Sequence, residues 1–133
     1  MTATVRIARP TRDPEAALRF YVDGVGGLRT DHFRDHAGYS GDIVRLPGRD
    51  VEIELVHGPA MTHGPTATPE DAVVLYAVDP SFLAEVGKRM VKLGFARYRT
   101  ENPYWHNRAS AWRDPDGYVV LLCPVGRISE GAL

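Results

Sequence analysis

The sequence predicts an α+β fold made of two βαβββ modules, on three observations. An Asp-Pro pair opens each of two helical stretches, at Asp13-Pro14 and Asp79-Pro80, and the second follows the first by 66 positions (79 minus 13), close to half of the 133 residues. One extended apolar segment precedes each helix and three follow it. A stretch with three prolines and no apolar period separates the halves.

Val5 to Arg9 reads as the first strand. Asp13 is an N-cap acceptor with Pro14 at the first helical position, and Ala17, Phe20, Tyr21 and Gly24 recur at helical spacing until Gly26-Gly27 stops the run. That spacing predicts a helix of roughly three turns. Leu28 to Phe33, Gly41 to Leu46 and Asp50 to His57 then read as three short strands with turn residues between them, closing a first module at about 3–57. Residues 58–71 (GPAMTHGPTATPED) read as the linker. The second module, about 72–125, repeats the order. Ala72 to Val78 is a strand, and the helix after Asp79 carries Leu83, Val86, Met90 and Leu93 as one stripe ended by Gly94. Phe95 to Thr100, Arg108 to Trp112 and Tyr118 to Pro124 are the last strands, the final two joined by the turn Asp114-Pro115-Asp116-Gly117. The expectation is one domain of two modules spanning 1–133.

Composition narrows the function. With 16 basic and 17 acidic residues, no broad field holds nucleic acid or an anionic bilayer, so neither is expected as a partner. The single cysteine, Cys123, rules out an internal disulfide and multi-cysteine metal sites and fits a reducing compartment. No signal-peptide core or membrane span can be placed, and the expected location is cytoplasmic.

The paired modules, the helix ending in FYVDGVGGL (Phe20 to Leu28) and the late hairpin DPDGYVVLL (Asp114 to Leu122) resemble the vicinal oxygen chelate superfamily of glyoxalase I, ring-cleaving dioxygenases and bleomycin-resistance proteins. The resemblance covers about Val5 to Pro124. It implies sheets curled into a half-open barrel, often completed by a second protomer, and hence a homodimer. Metal-using members place a ligand on the first and last strand of each module. Matching their motifs puts the four positions on Arg6, Glu54, Val73 and Leu121. Arginine has no lone pair to donate, and two of the others are apolar. One ligand in four does not hold a divalent ion, so the expectation is no metal, no cofactor and a metal-free binding branch.

Alternation along the strands predicts what the face carries instead. Arg6 and Ala8 go with Glu52 and Glu54 on a charged wall, with Arg6 opposite Glu54 as an ion pair, while Val73, Leu75, Val119 and Leu121 make an apolar wall. Two carboxylates ask for more than one cation, which leaves Glu52 an ordinary surface role as an alternative. Tyr104, Trp105 and His106 lie in the least usual segment, Glu101 to Asn107. They read as a stacking platform with a directional hydrogen-bonding group, or as a cover for the barrel end. Trp112 reads as core or ligand wall, and Tyr39 as a cavity-entrance residue. His32, His36, His57 and His63 read as solvated, Cys123 as a small core residue. Two ligand-directed functions follow, beside a third reading as a small dimeric accessory protein whose cavity is filled by its own side chains. One is a binding protein that sequesters a small, flat, largely uncharged aromatic or amphipathic compound, such as an antibiotic in self-resistance. The other is a glyoxalase- or dioxygenase-like lyase or isomerase using Glu54 and His106 as acid and base.

Overall fold

The structure is a computed structural model that describes residues 4–125. The chain divides between Thr66 and Ala67 into two compact units, each taken here by itself.

In the first unit the order is β1 (Val5–Pro10), a helical segment α1 (Pro14–Leu18) continued by a wider π-helical stretch (Arg19–Gly24), then β2 (Leu28–His36), β3 (Tyr39–Arg45) and β4 (Val51–His57). The sheet runs β1-β4-β3-β2, with β1 parallel to β4 and the other pairs antiparallel. Asp13 caps the helix, its Oδ1 accepting the Ala16 N–H at 3.1 Å. The widening is seen in the Val25 N–H, which donates to the Phe20 carbonyl five residues back. Phe20 and Tyr21, adjacent in sequence, are both fully buried. They join Val44, Ile53 and Leu55 as this unit's core, on the strand positions that alternate with Glu52 and Glu54.

Gly27 is where the helix end meets the sheet. A Cβ there would lie 2.7 Å from Val44 Cγ1 and 2.9 Å from the carbonyl oxygens of Arg45 and Tyr21, and the two oxygens belong to backbone that cannot step aside. Gly27→Ala is expected to destabilise the protein by about 1–2 kcal/mol through overpacking, read as a lower urea midpoint at unchanged slope. An unshifted midpoint would show that the helix end yields freely.

In the second unit β5 (Ala72–Val78) is followed by α2 (Pro80–Lys92), a short 3₁₀ turn (Pro103–Trp105), β6 (Ser110–Arg113) and β7 (Val119–Pro124). Its sheet has three strands in the order β5-β7-β6. Asp79 Oδ1 accepts from the Ser81 N–H at 2.8 Å and from the Ser81 hydroxyl at 2.7 Å, capping α2. Gly94, at φ +92, ends the helix, with the Phe95 N–H donating to the Met90 carbonyl. Asp114 Oδ1 accepts from the Asp116 and Tyr118 N–H groups, which closes the expected turn.

The strand expected at Phe95 to Thr100 does not form. A single Arg97–Trp112 bridge and a Tyr98 N–H to Ala111 carbonyl bond set that segment beside β6 without a ladder. The reason lies opposite its end: Arg108 and Ala109 still donate to the Trp105 carbonyl in a helical turn, so β6 starts only at Ser110, and Thr100, which the Arg97–Trp112 register sets against Ala109, has no strand beside it. Among the described residues, no helix is long and apolar enough to cross a membrane.

Candidate functional site

On the first unit's sheet, β1 and β4 are in parallel register with Arg6 beside Glu52 and Ala8 beside Glu54, so the four share the face opposite the buried core. The expected Arg6–Glu54 pair is present at 3.3 Å, but Arg6 also holds Glu52, its Nε and second terminal nitrogen lying 3.4 and 3.2 Å from Glu52 Oε1. The Thr30 hydroxyl donates to the other Glu52 oxygen at 3.1 Å. Glu52 is buried, which overturns the surface role considered for it. One guanidinium suffices for two carboxylates because its planar fork reaches both while a hydroxyl satisfies the remaining oxygen. Further along, Tyr39 lines a pocket of about 290 Å³ with Ala8, Val56, Met61 and Thr62.

On the second unit's sheet, the apolar wall is corrected. Val73 pairs with Val120 and Leu75 with Leu122, whereas Val74 pairs with Leu121 and Ala72 with Val119. Partners in register share a face, so Val73 and Leu75 go with Val120, Leu122 and Trp112, all buried together with Leu83, Val86 and Met90 of α2. Trp112 is therefore core, with its indole N–H on the Ser110 hydroxyl at 3.1 Å. The opposite face carries Ala109, Ala111, Val119, Leu121 and Cys123, against which Val74, Tyr98 and Trp105 pack. Burial pushes the Cys123 thiol up, so it stays protonated and inert near neutral pH.

A pocket of about 230 Å³ opens beside this second face, lined by Tyr98, Arg99, Thr100, Trp105, His106 and Ala109 among others. Asn102 positions its rim by accepting the Tyr104 N–H at 3.0 Å, which caps the 3₁₀ turn carrying Tyr104 and Trp105. The two rings meet edge to face, centroids 4.9 Å apart at 89°. Tyr104 is exposed and stacked under Arg108, 4.1 Å from its ring centre. His106 Nε2 lies 2.8 Å from the Thr100 carbonyl. A carbonyl only accepts, so Nε2 carries a proton and donates in this bond. Trp105 and His106 thus come together with Leu121's face, while Tyr104 stands at the outer rim.

Sequence reasoning missed two groups. Tyr98, Arg99 and Thr100 enter the pocket because the strand expected there is a loop. Asp42, with its side chain 1% exposed, takes Arg29 at 2.6 Å, Arg34 at 2.9 Å and His57 at 3.2 Å, so His57 is not the solvated residue expected. Asp42 lies two positions before the buried Val44 on one strand, an inward spacing that was a readable signal. Among the described residues, no three His, Cys, Asp or Glu side chains gather as a metal-holding group.

Residues 5–56 match the YycE-like N-terminal domain and residues 70–123 the YycE-like C-terminal domain. The uncharacterised protein YycE of Bacillus subtilis (strain 168) is 32% identical over 120 residues, covering 90% of this chain and 86% of the relative. The crystal structure of a YycE protein of unknown function from the same species superposes with TM-score 0.82 at 31% identity, over 96% of this chain and 93% of that one. TnmS3, an antibiotic binding protein from Streptomyces sp. CB03234, gives 0.65 at 23% identity, over 93% and 96%. The trypanothione-dependent glyoxalase I of Leishmania major gives 0.68 at 15%, over 93% and 87%. These last two show the fold, that of the glyoxalase/bleomycin resistance proteins.

Proposed function

The chain belongs to the YycE-like family, and from that premise we propose that it is a small-molecule binding protein that sequesters a planar aromatic compound without a resident metal. The observation that carries this reading is Arg6, whose guanidinium engages Glu52 and Glu54 together. A cation placed on the one carboxylate suited to a metal repels a divalent ion and occupies one of its donor oxygens, Oε1. On the second unit's sheet, Ala72, Val74, Val119 and Leu121 offer no donor either. What the fold presents instead is a pocket where Ala109 and Ala111 of the second sheet meet Tyr98 and Trp105, rings against which a flat ligand ring stacks. TnmS3 binds an antibiotic on the same fold, which agrees with a natural product as ligand and self-resistance as purpose.

A thermal-shift screen of aromatic metabolites and antibiotics tests the reading, since a ligand at a hundred times its Kd adds about 2.7 kcal/mol. Elemental analysis of protein purified without chelator is expected to find no stoichiometric divalent ion. One equivalent of Zn, Ni, Fe or Mn that disappears in Glu54→Ala would replace this reading with a glyoxalase- or dioxygenase-like enzyme.

The reading includes a homodimer. β2 is a nine-residue edge strand exposed almost throughout, with Leu28 64% exposed at its start, and such an edge is stabilised by a second copy. Light scattering at micromolar concentration is expected to give twice the 14.7 kDa chain mass, and a stable monomer would remove the dimer from the proposal.

A further inference from the structure

The pocket beside Trp105 has a charge that the whole chain conceals. Over the protein the formal net charge is −1, which by itself favours a neutral ligand. Between residues 97 and 113, however, there are four arginines, Arg97, Arg99, Arg108 and Arg113, against one acid, Glu101. Three of the guanidiniums are engaged. Arg97 donates to the Ser110 hydroxyl at 3.3 Å and lies 5.3 Å from the centre of the Trp112 ring. Arg108 donates to the Tyr104 carbonyl at 2.7 Å and covers the Tyr104 ring. Arg113 lies 5.3 Å from the centre of the Tyr98 ring. Arg99 is exposed, lines the pocket, and has no hydrogen bond or ion pair among the described residues.

Cations stacked on rings keep their charge, so Arg113 over Tyr98 and Arg108 over Tyr104 raise the potential at the pocket without blocking it. Among the described residues, no carboxylate lines the pocket to oppose them. The volume adds a second limit: about 230 Å³ is below the roughly 300–1,000 Å³ of pockets that enclose drug-sized ligands. We infer that this site takes a small planar aromatic acid of one or two rings, the ring against Tyr98 and Trp105 and its carboxylate on Arg99. The inference rests on the aromatic-binding reading above and adds the ligand's charge, its size and the residue that reads the charge. Arginine suits the task because its planar fork meets a carboxylate through two parallel hydrogen bonds.

The test uses the full chain and two probes of equal shape, 2-naphthoate and 2-naphthamide, titrated by calorimetry at low and at moderate salt. The acid is expected to bind at least tenfold tighter than the amide, with the advantage shrinking as salt rises. Arg99→Gln, at an exposed position, is expected to bring the acid down to the amide's affinity and so erase the tenfold preference. Acid and amide bound equally would overturn this inference and leave the aromatic-binding reading intact. A tenfold preference that survives Arg99→Gln would also overturn it, by denying Arg99 the role. Failure of both probes, together with no hit in the broader screen, would overturn both.

Discussion

Asp42→Ala is expected to destabilise the protein by about 2–3 kcal/mol. Removing one partner of a buried ion pair costs about 3–5 kcal/mol when the remaining charge stays buried, but the groups released here, Arg29 and Arg34, are 40% and 49% exposed and turn to water at lower cost. The effect depends on pH with a definite sign. Burial pushes the Asp42 carboxyl up, yet hydrogen bonds from Arg34, His57 and Arg29 outweigh it and hold the group below the usual aspartate range. A carboxyl depressed in the folded state stabilises folding above its unfolded value, about 3.9, and loses that contribution as pH falls through the folded value. Urea midpoints at pH 7 and pH 3 check both points: Asp42→Ala should be much weaker than the parent at pH 7, and the gap should narrow at pH 3. An equal gap at the two values would show that the carboxylate's charge is not what stabilises β3.

Trp105→Ala is expected to weaken binding of planar aromatic hits by about 1–3 kcal/mol, a loss of roughly tenfold to a hundredfold. The indole is only part-buried and packs against the buried Leu121 cluster without belonging to it, so the variant should keep its fold at a moderately lower melting temperature. Loss of affinity with the fold retained separates a ligand contact from a structural one. If the variant binds every hit as tightly as the parent, the aromatic turn is cover for the sheet, and the sequestration reading loses its ligand platform.

The parts of this molecule legible in the sequence are those whose signal is local. Asp13 and Asp79 cap the helices they were expected to cap, since an acceptor before Pro and three free N–H groups is a rule of adjacent residues. Glu52 and Glu54 reveal the phase of β4 because polar and apolar residues alternate there. β5, Ala-Val-Val-Leu-Tyr-Ala-Val, carries no such alternation, so nothing in it says which of Val73 and Val74 joins Leu121. Its pairing with β7 decides that, and a one-residue error exchanges the whole wall. Arg6 holding two carboxylates at once, and Asp42 drawing partners from two other strands, are likewise facts of assembly: the individual charges are visible in the chain, their sharing is not.

The segment that fails to become a strand has an evolutionary consequence. Between Phe95 and Ala109 the chain is joined to the three-stranded sheet by the Arg97–Trp112 bridge and the Tyr98 N–H, and no continuous ladder runs through Arg99, Thr100 or the Trp105 turn. Exchanging those residues costs no sheet hydrogen bonds and leaves the α2-facing core of Val120, Leu122 and Trp112 untouched. Selection can therefore retune the charge and shape of this wall one residue at a time while the scaffold keeps its stability, so that new ligand preferences arise without the folding penalty that mutations in a ladder would bring.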